Sequence, residues 1–283
     1  MKTPVVFILA CFVLCSCAEH TIDKSETRLP VLERHYNMET GEAIAEKSYV
    51  YDKYRNLIRE SYKLLTPKTY QYGVYSYEIN YEYDAQQNRI LMLTRYLGET
   101  ESYSLVRFVY DGNKKVEEQY YTMDVNSQRP HTKTTYYYSG AQADSSVTLV
   151  HQYFIDRTDA YNFSSASYFK YDNQERLIEE QRRPAFGSKW VASINDYDGD
   201  LLQKSCNPVT GQEGVFNCTR YEYNSQKNLI RKYATFTGTP DRLLEEHTYT
   251  EGLRAETKIF NQNYYLLVYG DPSLYTLQIK YEY

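Results

Sequence analysis

The stretch Tyr81-Glu82-Tyr83-Asp84-Ala85-Gln86-Gln87-Asn88-Arg89-Ile90 decides how this chain folds. Side chains alternate across a strand, so the two rings share one face and Glu82 takes the other. Asp84 then opens a turn, because its short side chain can accept hydrogen bonds from nearby backbone amides. Arg89 and Ile90 resume as a second strand. The unit is a β-hairpin with one aromatic face and one wet face.

The unit recurs along the chain. Anchored on the second aromatic, copies stand at Tyr51, Tyr83, Tyr110, Tyr138, Tyr171, Tyr197, Tyr223, Tyr249 and Tyr283, spaced 26 to 34 residues apart. A period in that range marks an array of one supersecondary unit. Return strands open on aliphatic residues such as Leu57-Ile58, Leu177-Ile178 and Leu229-Ile230. Asp111-Gly112-Asn113 and Asp198-Gly199-Asp200 read as tight positive-φ turns. The longer turns, Asp52 to Asn56 and Asn224 to Asn228, are expected to close on an asparagine in the left-handed region.

Tyrosine supplies 34 of the 283 residues. Each ring buries apolar area while keeping a polar tip, so Tyr51, Tyr83, Tyr110, Tyr138, Tyr171, Tyr197, Tyr223 and Tyr249 are read as the repeat core rather than a ligand platform. The expected fold is all-β, an antiparallel meander of repeated hairpins forming an open shell or single-layer solenoid. The alternative is a closed porin-like β-barrel. About eight hairpins supply roughly sixteen strands, and Tyr275, Leu277, Ile279, Tyr281 and Tyr283 alternate as in outer-membrane barrels.

The first residues address the chain. A basic start at Lys2 and an apolar run from Pro4 to Leu14 read as a signal peptide over 1–16, followed by a tether over 17–34 and the repeat domain over 35–283. Leu14-Cys15-Ser16-Cys17 resembles a bacterial lipobox, which implies acylation at Cys17. Ala18, rather than aspartate, then implies an outer-membrane lipoprotein, periplasmic or surface-exposed. Cys206 and Cys218 are close in sequence and in an oxidising compartment, so a disulfide between them is expected.

Tyr51-Asp52 to Leu57, Tyr83-Asp84 to Ile90 and Tyr171-Asp172 to Leu177 resemble the YD repeat of Rhs proteins, insecticidal toxin shells and teneurins. As a whole the chain resembles tyrosine-rich envelope lipoproteins of the Bacteroidota type. The family's glycine four residues after the tyrosine is here Arg55, Gln87, Glu175 and Lys227.

Formal charge is −5, and loss of residues 1–16 removes only Lys2, leaving 31 basic against 37 acidic residues, or −6. An acidic chain argues against nucleic acid as a partner. His20, His35, His131, His151 and His247 show no metal-ligand spacing, and Asp196-Tyr197-Asp198-Gly199-Asp200 lacks the later ligands of a calcium loop. The pairs Glu117-Glu118, Glu179-Glu180 and Glu245-Glu246 should split between two strand faces as solvated surface. No catalytic residue, cofactor or metal is expected. The expected function is a non-enzymatic envelope lipoprotein, held to the membrane by its lipid, that binds or scaffolds a glycan, peptide or protein partner. The alternative is a structural or transport barrel of the outer membrane.

Overall fold

The computed structural model describes residues 28–65, 76–97, 102–122, 130–151, 160–209, 215–236, 240–260 and 276–283. The signal peptide, Cys17 and His20 lie outside them. Eighteen strands carry the fold: β1 Leu32–Asn37, β2 Ala43–Tyr51, β3 Leu57–Leu64, β4 Ser76–Tyr83, β5 Arg89–Leu97, β6 Ser102–Asp111, β7 Lys114–Thr122, β8 Thr132–Tyr138 and β9 Ala143–His151. The second half adds β10 Tyr161–Tyr171, β11 Leu177–Pro184, β12 Trp190–Asp198, β13 Leu201–Pro208, β14 Phe216–Tyr223, β15 Leu229–Phe236, β16 Arg242–Thr250, β17 Leu253–Phe260 and β18 Thr276–Glu282.

Each strand pairs antiparallel with the next in chain order, and β18 pairs back with β1, from Leu32 opposite Glu282 to Asn37 opposite Leu277. The sheet is therefore a closed 18-stranded barrel, not the open shell or solenoid expected as the leading fold. The reason is local. Eight units are complete hairpins, β2–β3 through β16–β17, and the ninth is split. β18 brings its Tyr281-Glu282-Tyr283, and β1 serves as its return strand. Nothing in Leu32–Asn37 carries a Tyr-Asp signature, and the boundary expected between tether and repeat domain, at residue 34, falls inside this strand.

Every complete unit repeats one irregularity. The register shifts immediately before the anchor tyrosine, between Val50 and Tyr51, Glu82 and Tyr83, Val109 and Tyr110, and at the corresponding step in the other five hairpins. Such a bulge bends the strand and re-aims the side chain that follows it. The re-aimed hydroxyl donates to a backbone carbonyl at the start of the return strand one unit back. Tyr83 reaches Leu57 at 2.9 Å, Tyr138 reaches Lys115 at 2.7 Å, and Tyr171 reaches Ala143 at 2.8 Å. Tyr197 reaches Leu177, Tyr223 Leu202 and Tyr249 Leu229. The split unit obeys the same rule from both sides, with Tyr283 on Arg254 at 2.7 Å and Tyr51 on Pro30 at 3.0 Å. One rim of the barrel is thereby stapled around the seam.

The turns at this rim are built by side chains. Asp52 Oδ1 accepts from the amides of Tyr54 and Asn56, and Asp84, Asp172 and Asn224 repeat the pattern. The left-handed residue is not the closing asparagine but the one before it: Arg55 (φ 70), Gln87 (φ 67), Glu175 (φ 60) and Lys227 (φ 64). These are the sites where the YD family places glycine. The asparagine is held instead by the Asp/Asn cap, which fixes the turn while a side chain bears the positive φ.

A non-glycine residue in this region costs about 1–2 kcal/mol, partly offset by the entropy glycine loses on folding. Lys227→Gly and Gln87→Gly should each stabilise the barrel by about 0.5–1 kcal/mol in thermal melts. Asn228→Gly, one residue later, should destabilise it.

Candidate functional site

The wall is one residue thick and has two dissimilar faces. Tyr49, Glu60, Thr94, Ser104, Ser146, Ser167, Glu180, His247, Thr257 and Ile279 share one face by strand register, and all but Tyr49 are buried. The opposite face carries the exposed Val50, Val109, Tyr137 and Ile194. The covered, concave face is the lumenal one. Among the described residues Ala45 is fully covered, but no large side chain is. The strands make close contact with the neighbours they hydrogen-bond to, as expected of a lumen wide enough to hold water.

A belt of polar groups crosses this inner wall at one level. The residue opposite the position two before each anchor tyrosine is Glu60, Met92, Glu118, Ser146, Glu180, Ser205, Lys232, Thr257 and, across the seam, Glu33; that position is aromatic in most units but Asn195 and His247 in two. The carboxylates take hydroxyls from adjacent strands: Tyr49 donates to Glu33, Tyr77 to Glu60 at 3.1 Å, Tyr136 to Glu118 at 3.3 Å, and Ser167 to Glu180 at 2.9 Å. Cations balance them, with Lys47–Glu60 at 3.0 Å, Lys115–Glu118 at 3.1 Å and Arg182–Glu180 at 2.9 Å. Burial would push the Glu33 carboxyl up, but hydrogen bonds from His35 and Tyr49 and the charge of Lys47 hold it below its ordinary value. Burial and the Glu33 charge push the Tyr49 phenol far up, so it stays a donor.

The sequence reading placed glutamates of this kind on solvated surface. Glu118, Glu180 and Glu245 do split from Glu117, Glu179 and Glu246 by face, but Glu180 is buried on the lumenal side. For Glu118 and Glu180 the available signal was their register with Phe108 and Phe169, which they follow by ten and eleven residues.

On the arc nearest the seam the belt joins a cavity. An open space of about 640 Å³, within the usual size range of ligand sites, is lined by Asn224, Gln226, Asn228, Ile230, His247, Tyr249, Glu251 and Gly252. The Asx turn of β14–β15 and the tight turn at Glu251-Gly252 supply its mouth. His247 forms its buried floor. His247 Nδ1 lies 2.8 Å from Thr257 Oγ1, which lies 3.1 Å from the Tyr281 hydroxyl. Its Nε2 is 3.4 Å from Glu245 and has no hydrogen-bond partner. Lys232 holds Glu245 at 2.9 Å. Burial would raise the Glu245 carboxyl, but His247 and Lys232 outweigh it and lower it to about 2. The arrangement offers amide, hydroxyl and imidazole groups for hydrogen bonds around one tyrosine ring. Among the described residues no cluster of three or more His, Cys, Asp or Glu has the geometry to hold a metal.

The expected core tyrosines sit half-buried at the rim as the staples described above. Cys206 and Cys218 lie directly opposite one another on β13 and β14, on the outer face, and are bonded. His35 and Tyr62 meet edge to face on the inner wall, while His131 and His151 lie on the far side of the barrel.

Because Glu245 is depressed when folded, its stabilisation is fully present above its ordinary value of 4.5 and is lost as pH falls from there toward about 2. The contribution is at most about 3 kcal/mol. Urea midpoints should fall more steeply over that window in the native chain than in Glu245→Gln, whose curve should be flatter and lower at neutral pH.

No family model and no curated protein matches the chain. Among solved structures it is similar to the Photorhabdus luminescens Tc holotoxin pore carrying the TccC3 D651A mutation, at 14% identity and TM-score 0.32, over 78% of this chain and 14% of that one. The chain thus spans a small part of that toxin chain's length. It is also similar to a porin-like protein from Bacteroides uniformis ATCC 8492, at 10% identity and TM-score 0.43, over 89% of this chain and 95% of that one. The closed barrel itself follows from the strand pairing.

Proposed function

We propose that this protein is a water-filled β-barrel of the cell envelope that stands at the outer membrane rather than through it, and binds a small hydroxyl-rich ligand from its lumenal side. The observation that carries the first part is the charge on the outer face. Arg34 bridges Glu46 and Glu282 across the seam, Arg231 contacts Glu246 and Glu222, and Arg220 contacts Glu222 and Asp241. Lys133 pairs with Glu117. These groups lie along the strands where a membrane barrel needs an apolar band about 25 Å tall, and each lipid-facing Arg or Lys at mid-bilayer costs about 2–4 kcal/mol. In water the same pairs are nearly free of cost.

The cavity at His247 supports the binding role. Its lining is polar but holds a single tyrosine face beside a buried imidazole, which suits a neutral sugar-like ligand better than a charged or greasy one. The one hydroxyl beside His247, that of Thr257, is buried, bonds on to Tyr281 and does not line the cavity, so we read binding rather than catalysis.

Residues 18–283, exported behind a cleavable signal peptide that directs no lipidation, should be recovered as a soluble periplasmic monomer. Retention in carbonate-washed membranes would instead support a transmembrane pore.

A further inference from the structure

The connection between β11 and β12 reads Arg182-Arg183-Pro184-Ala185-Phe186-Gly187-Ser188-Lys189-Trp190. It lies at the rim opposite the stapled turns. Phe186 is 94% exposed, far beyond any other exposed large hydrophobic among the described residues, and Trp190 is 44% exposed. The loop is shaped rather than slack. Gly187 takes φ 115, a conformation side chains rarely adopt, close beside Pro184, so the turn has a defined shape with Phe186 outward.

Cations flank the rings. Lys189 Nζ lies 4.0 Å from the centre of Tyr168, and the Arg183 guanidinium 4.9 Å from that of Phe163, so both cations lean on rings at the flank of the loop while the residues stay exposed. Arg182 is engaged by Glu180. A net-acidic chain thus presents one loop whose protruding groups are aromatic and basic. Aromatic residues favour the headgroup layer of a bilayer, and nearby Lys and Arg add attraction to anionic lipid.

We propose that this loop is a membrane-interface anchor, seating Phe186 among the headgroups of an anionic bilayer while Arg183 and Lys189 meet its phosphates and Trp190, opposite Arg182 on the lumenal edge of the same rim, lies beside them. The barrel itself stays in water. Trp190 is the sole tryptophan of the chain and reports on its own loop.

The test uses residues 18–283, which contain the whole barrel, with vesicles of phosphatidylcholine alone or mixed equally with phosphatidylglycerol. Anionic vesicles should shift Trp190 emission to the blue and make it quenchable by brominated lipid, and neutral vesicles should do so weakly. Phe186→Ser should weaken partitioning about tenfold, as expected for withdrawing one buried phenyl ring. Arg183→Gln with Lys189→Gln should remove the salt dependence. No shift on anionic vesicles overturns the proposal, as does a shift that Phe186→Ser leaves unchanged. Capture of a protein partner through Phe186 without any vesicle response also overturns it. An inserted barrel is distinguished because its retention in carbonate would not depend on Phe186.

Discussion

The hydrogen bond that anchor tyrosines such as Tyr83, Tyr171 and Tyr249 make to a carbonyl one unit back is the interaction on which the rest of this structure depends. Sheet ladders join neighbouring strands but say nothing about where a meander stops. The staple does more, because its donor sits at a bulge in one hairpin and its acceptor at the start of the previous return strand. Each bond contributes about 1 kcal/mol net, little alone. Repeated around a rim, it fixes the tilt between units, and so the curvature that brings β18 back to β1. Tyr283 and Tyr51 make the same bond on either side of the seam, which gives the split ninth unit the geometry of the intact ones.

A barrel of this kind has little conventional core. Its inner wall is a lattice of phenol, carboxylate and ammonium groups in which most members satisfy one another, as at Tyr77, Glu60 and Lys47. Ion pairs in such places add little stability, but removing one partner leaves a stranded charge at a cost of about 3–5 kcal/mol. The lattice therefore favours one register over its neighbours. It also leaves the lumen polar, and with the charged outer face this makes both sides of the wall compatible with water.

Hairpins, their boundaries and the alternation of faces were legible because Tyr-x-Tyr-Asp joins a period-2 pattern to a turn residue. Closure was legible only as the alternative, from the number of hairpins and the alternation that runs to Tyr283. β1 lacks the aromatic pair and the Asp, so the expected tether boundary at residue 34 cuts through it, and its role shows only in its pairing with both β2 and β18. Turn geometry was misread by one residue, since propensity favours asparagine in the left-handed region while the Asx cap pulls Asn56 and Asn228 back to ordinary φ and passes the strain to Arg55 and Lys227. The lumenal belt escaped notice because a lone glutamate in a strand resembles surface. The cavity at His247 lies between the turns of two consecutive hairpins, and neither turn alone marks it.

Closure is tested most directly by a cross-link across the seam. Arg34 and Lys280 face each other in register on the outer side of β1 and β18, on a chain whose termini an open shell would hold apart. The double variant Arg34→Cys with Lys280→Cys should oxidise to an intramolecular disulfide in the dilute monomer, mapped by mass spectrometry of the non-reduced digest. Free thiols at both positions, or only intermolecular links, would contradict the closed barrel.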